Sequence, residues 1–280
     1  MNVEVVFLPP IATDLPTKVC VVIDVLRATS TLVAMFEAGT SRVTLAETIP
    51  GALEYAESCE VRPLVCGESG GLPPAGFDLG NSPREFRLET VNGRSISFCT
   101  SNGTRAMWQV ASAPVVLAGS LLNATAVVRT AMSEARARRL DIAFVCSGDY
   151  MGSKFAIDDA FCAGYLVSLL EREAADDAAS AERRQVGTPG RDEVAQEVTL
   201  EESALAALRL FRSYLPEAGA GEVSGRDVPR EAILRAFWES HNAQVLKRVG
   251  LEADVEFCAQ IDVSERVPRL RMEAGKLVLV

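Results

Sequence analysis

Short apolar runs recur along the first half of this chain, each closing on an acid, a glycine or a hydroxyl residue and then giving way to a helix-like stretch. Residues 19–25 lead into "LRATST" and a helix closing at Gly39, and "RPLVCGE" ends at Glu68 ahead of "SGGLPPAGFDLGNSPREF". "SISFCT" enters "SNGTRAMWQVA", "PVVLAG" enters "SLLNATAVVRTAMSEARAR", and "LDIAFVCSG" enters "DYMGSKFAIDDAFCAGYLVSLLERE". Strands buried on both faces read as continuous apolar runs rather than as alternating ones. Such strands interleaved with helices imply a three-layer α/β fold around a largely parallel or mixed sheet. Ligands of such sheets bind beyond the carboxyl ends of the strands, and there this chain collects its small, hydroxylated and glycine-bearing loops.

The remaining elements are plainer. "SRVTLAET" reads as a strand and "PGALEYAES" as a helix with Pro50 in its first turn. The stretch near 174–198 turns to Ala, Asp, Glu, Arg and Gly, the frayed end of a helix followed by a surface loop. "TLEESALAALRLFRSYL" restarts with Thr199 and Glu202 at capping-box spacing. "PREAILRAFWESHNAQVLKRVG" reads as a further helix, and the tail "ADVEFCAQIDVSERVPRLRMEAGKLVLV" as strands with "EAGK" a hairpin turn. The chain divides into an N-terminal α/β half, 1–130, and a C-terminal half, 131–280, or forms one continuous domain.

With 280 residues, 48% of them hydrophobic, the chain can bury a large core. Its net charge of −10, from 28 basic and 38 acidic residues, argues against nucleic acid or an anionic membrane surface as partner. No apolar run approaches the ~18 residues of a membrane span, and the N-terminal "MNVEVVFLPP" carries an acid where a leader would be basic. The seven cysteines sit mostly inside apolar runs (Cys20, Cys66, Cys99, Cys146) without zinc spacing, as expected of buried reduced thiols in a cytoplasmic protein. A homodimer is the default assembly. The same negative field repels an anionic ligand, which must therefore be held by local devices: helix N-termini, arginines or a metal ion.

"VVIDVLRATSTL" supplies such devices. Asp24 ends an apolar strand, and an aspartyl-nucleophile phosphatase would carry a second aspartate two positions on, where this chain has Leu26. Direct attack by water is therefore preferred to a phosphorylated Asp24. At a strand-to-helix handover the free backbone N–H groups favour an anion, so Arg27, Ala28, Thr29, Ser30 and Thr31 form one candidate cradle, although a hydroxyl here can equally cap the helix. "TSNGTRA" repeats the arrangement with Ser101, Asn102, Gly103, Thr104 and Arg105, and neither loop has the Lys-Ser/Thr pair of a Walker motif. Two cradles suit a ligand with two or more negative groups, a small anionic phosphate ester. Asp24, Glu68 and the Asp158–Asp159 doublet are the candidate metal-binding carboxylates, and a few carboxylates beside phosphate-binding loops suit Mg²⁺. The doublet could equally serve the helix dipole. His241 stands far along the chain from these loops, so histidine catalysis is not expected.

Taken in order, "VVIDVLRATSTL", "GESGGLPPAGFDLGNSPREF", "TSNGTRA" and "CSGDYMGSKFAIDDAFCAG" resemble the 2-phosphosulfolactate phosphatase family over residues 21 to about 164. The resemblance implies an unusual α/β fold and Mg²⁺-dependent hydrolysis of (2R)-phospho-3-sulfolactate to sulfolactate and phosphate, a step of coenzyme M biosynthesis. It implies that Asp24, Arg27 and Asp159 serve catalysis, that Asp24, Glu68, Asp158 and Asp159 hold the metal, and that Asn81 and Ser82 join the two cradles in binding substrate. A phosphatase or lyase for another small organic phosphate, or a non-catalytic anion sensor whose acids are only caps and ion pairs, are the alternatives.

Overall fold

The computed structural model describes residues 1–185, 198–216 and 228–280. In chain order its strands and helices begin with β1 (Asn2–Val6), β2 (Lys18–Ile23), α1 (Ala28–Glu37), β3 (Arg42–Leu45), α2 (Ile49–Ser58) and β4 (Leu64–Gly67). There follow α3 (Leu88–Val91), β5 (Ser95–Cys99), α4 (Gly103–Gln109), β6 (Val115–Gly119), α5 (Ala124–Arg138), β7 (Asp141–Cys146) and α6 (Ile157–Gln185). The last are β8 (Thr199–Leu200), α7 (Glu202–Ser213), α8 (Arg230–Trp238), α9 (His241–Arg248), α10 (Glu252–Cys258), β9 (Leu270–Glu273) and β10 (Lys276–Leu279).

The strands form two five-stranded sheets. One, in the order β6-β2-β7-β1-β8, is parallel throughout. The other, β4-β5-β3-β10-β9, is mixed, with β9 and β10 antiparallel. The fold is therefore α/β, as the alternation of runs predicts. β2 shows why its run is apolar without a break: Val19, Val21 and Ile23 join the core shared with α5 and α6, while Cys20 and Val22 face α1, α4 and the second sheet. Each face of a strand needs an apolar partner layer, and here both faces have one.

Both sheets draw on both ends of the chain. β1 and β2 pair with β7, and the C-terminal hairpin of β9 and β10 is added to β3. A boundary at 130 falls inside α5 and does not separate the sheets. The hairpin turns at Ala274 and Gly275, both at positive φ, the backbone that a two-residue turn between right-twisted strands requires.

Several local expectations are corrected. Helix α6 runs on to Gln185, so the helix does not end near 174, and the loop expected beyond it falls largely outside the described residues. Thr199 forms no capping box, because 199–200 is drawn onto β1 as an edge strand and α7 starts only at Glu202. The expected helix over 229–250 is two, broken where Ser240 accepts the Ala243 N–H at 3.1 Å and caps α9. The front of the tail is helical: α10 buries Asp254, Val255 and Cys258 on one face. No helix among the described residues is long and apolar enough to cross a membrane, and all seven cysteines are unpaired thiols.

Candidate active site

Asp24 follows β2, and Ser147 follows β7, in the parallel sheet; Glu68 follows β4, and Thr100 follows β5, in the mixed sheet. The carboxyl ends of strands from both sheets thus converge, and the start of α6 brings Asp158 and Asp159 to the same place. Asp24 is buried, and its carboxyl is pushed up to about 7, chiefly by burial and further by the charges of Glu68 and Asp158, against the amides of Ala28 and Gly103. Asp158, fully buried, is pushed up to about 6 by the same loss of solvent, partly offset by its hydrogen bond from Asn242. Burial raises Asp159 well above the usual carboxylate range, with the charges of Asp158 and Asp24 adding to it. Residues more than 130 positions apart feel one another's charge, a convergence made by the strand order alone.

The backbone amides that the sequence offers to an external anion are turned instead on the protein's own acids. Ala28 donates its N–H to Asp24 Oδ1 at 3.2 Å. Ser101 and Gly71 donate theirs to the two oxygens of Glu68, at 2.7 and 3.0 Å. Val25 and Gly148 donate theirs to Asp159 at 2.9 and 3.1 Å, and Ser147 Oγ donates to it at 2.9 Å. An acid that accepts two or three such bonds stitches one loop to the next, and each bond favours its charged form.

The hydroxyls of "RATST" are also committed. Thr29 donates to the Asp24 carbonyl, Ser30 to that of Val25 and Thr31 to that of Asn81, at 2.8–2.9 Å. Thr104 is spent likewise on the Thr100 carbonyl at 2.9 Å. Asn102 accepts the Met151 N–H at 2.9 Å, tying the "SNG" turn to the loop after β7. Gly103 is where α4 meets Asp24: a Cβ added there would lie 2.7 Å from Asp24 Oδ2 and 2.6 Å from the Ala28 methyl. No larger residue permits that approach.

Arg27 is buried and paired. It donates to Asp254 Oδ2 at 2.7 Å and to the Gly71 carbonyl at 2.8 Å, while Ser82 Oγ donates to the other Asp254 oxygen at 2.7 Å. Asn81 is buried with its Oδ1 unpartnered among the described residues, and Arg105 is exposed on α4. The predicted acids therefore gather, with Asn81 tied to Thr31 and Ser82 to Arg27 through Asp254, but Arg27, Glu68 and Asp159 appear in the structure as braces between loops.

Reading by motif missed Asp254, Asn242 and His241. Asn242 Nδ2 donates to Asp158 Oδ2 at 3.1 Å, and His241 Nδ1 lies 2.7 Å from Asp149 Oδ2 with its ring stacked on Tyr150. The histidine set aside for its distance in sequence thus stands beside the loop after β7, next to the residue that bonds Asp158. Signals existed: an aspartate on the apolar stripe of "ADVEFC", and a serine breaking a long helical pattern just ahead of "HN".

Does this set suit a divalent cation? Among the described residues no three His, Cys, Asp or Glu side chains stand together as a cation site. Yet Asp158 Oδ1 is buried and has no hydrogen-bond partner, and burying a carboxylate oxygen without one is costly. Hard oxygen donors with a spare buried oxygen suit Mg²⁺, which commonly keeps several waters and takes only one or two carboxylates.

The family model for 2-phosphosulpholactate phosphatase matches residues 9–273. The chain belongs to that family. It is 36% identical over 262 residues to a Thermus thermophilus protein named "probable 2-phosphosulfolactate phosphatase", covering 93% of this chain and 91% of that one. A Thermotoga petrophila protein of the same name is 34% identical, covering 96% and 95%, and one from Carboxydothermus hydrogenoformans is 29% identical, covering 100% and 97%. The family makes the chain a phosphoric monoester hydrolase. Asp24, Glu68, Asp158 and the loops around them are the parts of this phosphatase that its fold brings together.

Proposed function

We propose that the protein hydrolyses 2-phospho-3-sulfolactate to 3-sulfolactate and phosphate with the help of Mg²⁺. The family and its relatives' names support the substrate, and two buried carboxylates, Asp24 and Asp158, with the charge of Asp158 raising Asp24 and Asp158 Oδ1 left without a hydrogen-bond partner among the described residues, support the metal. Asp24 and Asp158 would hold the cation, with Glu68 close enough to Asp24 to add to the negative field. When bound, Mg²⁺ would offset the acidic charge, polarise the phosphoryl group and orient water.

The chain's own residues supply the rest of the mechanism. Ala28 and Gly103 hold Asp24 in place from two helix starts. Arg27, fixed by Asp254, keeps the loop after β2 locked against the "GG" turn. Two exposed cations, Arg105 in the first turn of α4 and Lys154 in the loop after β7, suit the sulfonate and carboxylate groups of this substrate. Leu26, two positions after Asp24, leaves no second aspartate to serve a phosphorylated intermediate, so the reading takes water as the nucleophile.

The test is phosphate release by purified protein from 2-phospho-3-sulfolactate and from phospholactate, with Mg²⁺ and with EDTA. Release that needs the cation and prefers the sulfonated ester is expected. Equal rates with EDTA would remove the metal, and preference for another small phosphate would replace the substrate. A cytoplasmic setting and a place in coenzyme M synthesis belong to the same proposal.

A further inference from the structure

Among the four acids of the site, Asp158 stands apart. Asp159 has both oxygens bonded to donors, and Glu68 has both bonded to amides. Asp158 has Oδ2 bonded to Asn242, while its other oxygen, Oδ1, is buried with no hydrogen-bond partner among the described residues and feels the amides of Asp158 and Asp159 at the start of α6. Among the described residues the only side-chain donor to Asp158 is Asn242, whose amide reaches it at 3.1 Å across 84 positions of sequence.

We infer that Asn242 is a positioning residue: by binding Oδ2 it sets the rotation of the Asp158 carboxylate and presents Oδ1 to the ligand. A carboxylate turns about its last bond over a broad, shallow profile, so one fixed oxygen decides where the other points. The amide also leaves Oδ1 as the oxygen with an unmet demand for a cation or a proton. The start of α9 is itself anchored. Ser240 caps the helix, and His241, the preceding residue to Asn242, is held at 2.7 Å by Asp149 in the loop after β7. Asn242 therefore reaches Asp158 from a fixed base and not from a mobile side chain on a free surface.

This inference rests on the reading of the site as one that takes its ligand at Asp24 and Asp158. A supporting residue that orients a ligating carboxylate is typically worth about 10–100-fold in metal affinity or activity. Three substitutions separate orientation from mere packing. Asn242→Ala removes the donor. Asn242→Gln keeps an amide, at a position that is only partly buried. Asn242→Asp keeps the shape but turns a like charge toward Asp158.

Each full-length variant is tested for its melting temperature, for kcat and KM on 2-phospho-3-sulfolactate, and for Mn²⁺ binding without substrate by electron paramagnetic resonance. The expected order is wild type, then Gln, then Ala, then Asp, with Ala about 10–100-fold down in kcat and in Mn²⁺ affinity, KM changed less, and melting little altered. Wild-type kcat and Mn²⁺ affinity in Asn242→Ala would overturn the role, as would an Asp variant that matches or exceeds Ala, or a Gln variant no better than Ala. A wild-type protein that neither binds Mn²⁺ nor releases phosphate would instead overturn the parent reading, and this role with it.

Discussion

Arg27 and Asp254 lie 227 positions apart and meet at 2.7 Å as a buried ion pair, with side chains 2% and 0% exposed. The pair ties the loop after β2 to α10, and Ser82, bonded to the other Asp254 oxygen, brings in the "GNSP" turn. An arginine beside hydroxyls suggests an anion-binding residue when read alone. Its partner in the fold is an aspartate that no motif announced.

Removing one member of that pair should be severe. Asp254→Ala leaves a guanidinium buried without its counter-charge, which typically costs about 3–5 kcal/mol. Urea unfolding should show a loss of that order together with a fall in phosphatase activity. A loss under 1 kcal/mol would mean that Arg27 finds another partner. Arg27→Lys should fare poorly too, since one ammonium cannot span both Asp254 and the Gly71 carbonyl as the planar fork does.

Gly103→Ala places a methyl 2.7 Å from Asp24 Oδ2 and 2.6 Å from the Ala28 Cβ. The atoms it meets are the Ala28 methyl and the carboxylate and Cβ of Asp24, so the expected response is a shift of the Asp24 side chain. Misplacement of about 1 Å can cost about 10²-fold in rate. A kcat within threefold of wild type would show that α4 gives way freely.

Stability of the metal-free protein should fall as pH rises. Asp24 and Asp158 have folded values of about 7 and about 6 against an ordinary 3.8. The folded state therefore binds more protons than the unfolded one, from about 4 to 7 through Asp24 and from about 4 to 6 through Asp158. Over its own window each group lowers stability by up to about 1.4 kcal/mol per pH unit. Denaturant midpoints in EDTA should be higher at pH 5 than at pH 8, and Asp24→Asn should flatten the difference. A midpoint that rises with pH would contradict the burial of these acids.

Asp24→Asn itself should separate activity from folding. It keeps an oxygen for the Ala28 amide and relieves repulsion with Glu68 and Asp158. Phosphate release should drop by about 10²–10³-fold, of the order seen when one charge-stabilising group is lost, while the melting temperature holds or rises. Retained activity would remove Asp24 from the catalytic role.

Ser240→Ala removes the hydroxyl that caps α9, worth about 1 kcal/mol. Because α9 carries His241 to Asp149 and Asn242 to Asp158, kcat should fall along with stability. Unchanged kinetics would mean that α9 keeps its first turn without the cap.

What the sequence by itself determined is the local grammar: unbroken apolar runs that must be strands buried on both faces, and polar loops at their carboxyl ends where Asp24, Glu68, Thr100 and Ser147 fall. These follow from backbone geometry and the hydrophobic effect acting over a few residues at a time. The order of strands within two sheets, the helical course of 252–258, the break at Ser240, and the partners of Arg27, Asp158 and Asp159 were decided only in the tertiary structure. The physical reason is the amide and the charge. A strand-end N–H, a serine hydroxyl or an arginine is an equal candidate for an outside anion and for an internal acid. Which one it meets depends on residues up to 227 positions away, brought within 3 Å by packing that no local pattern encodes.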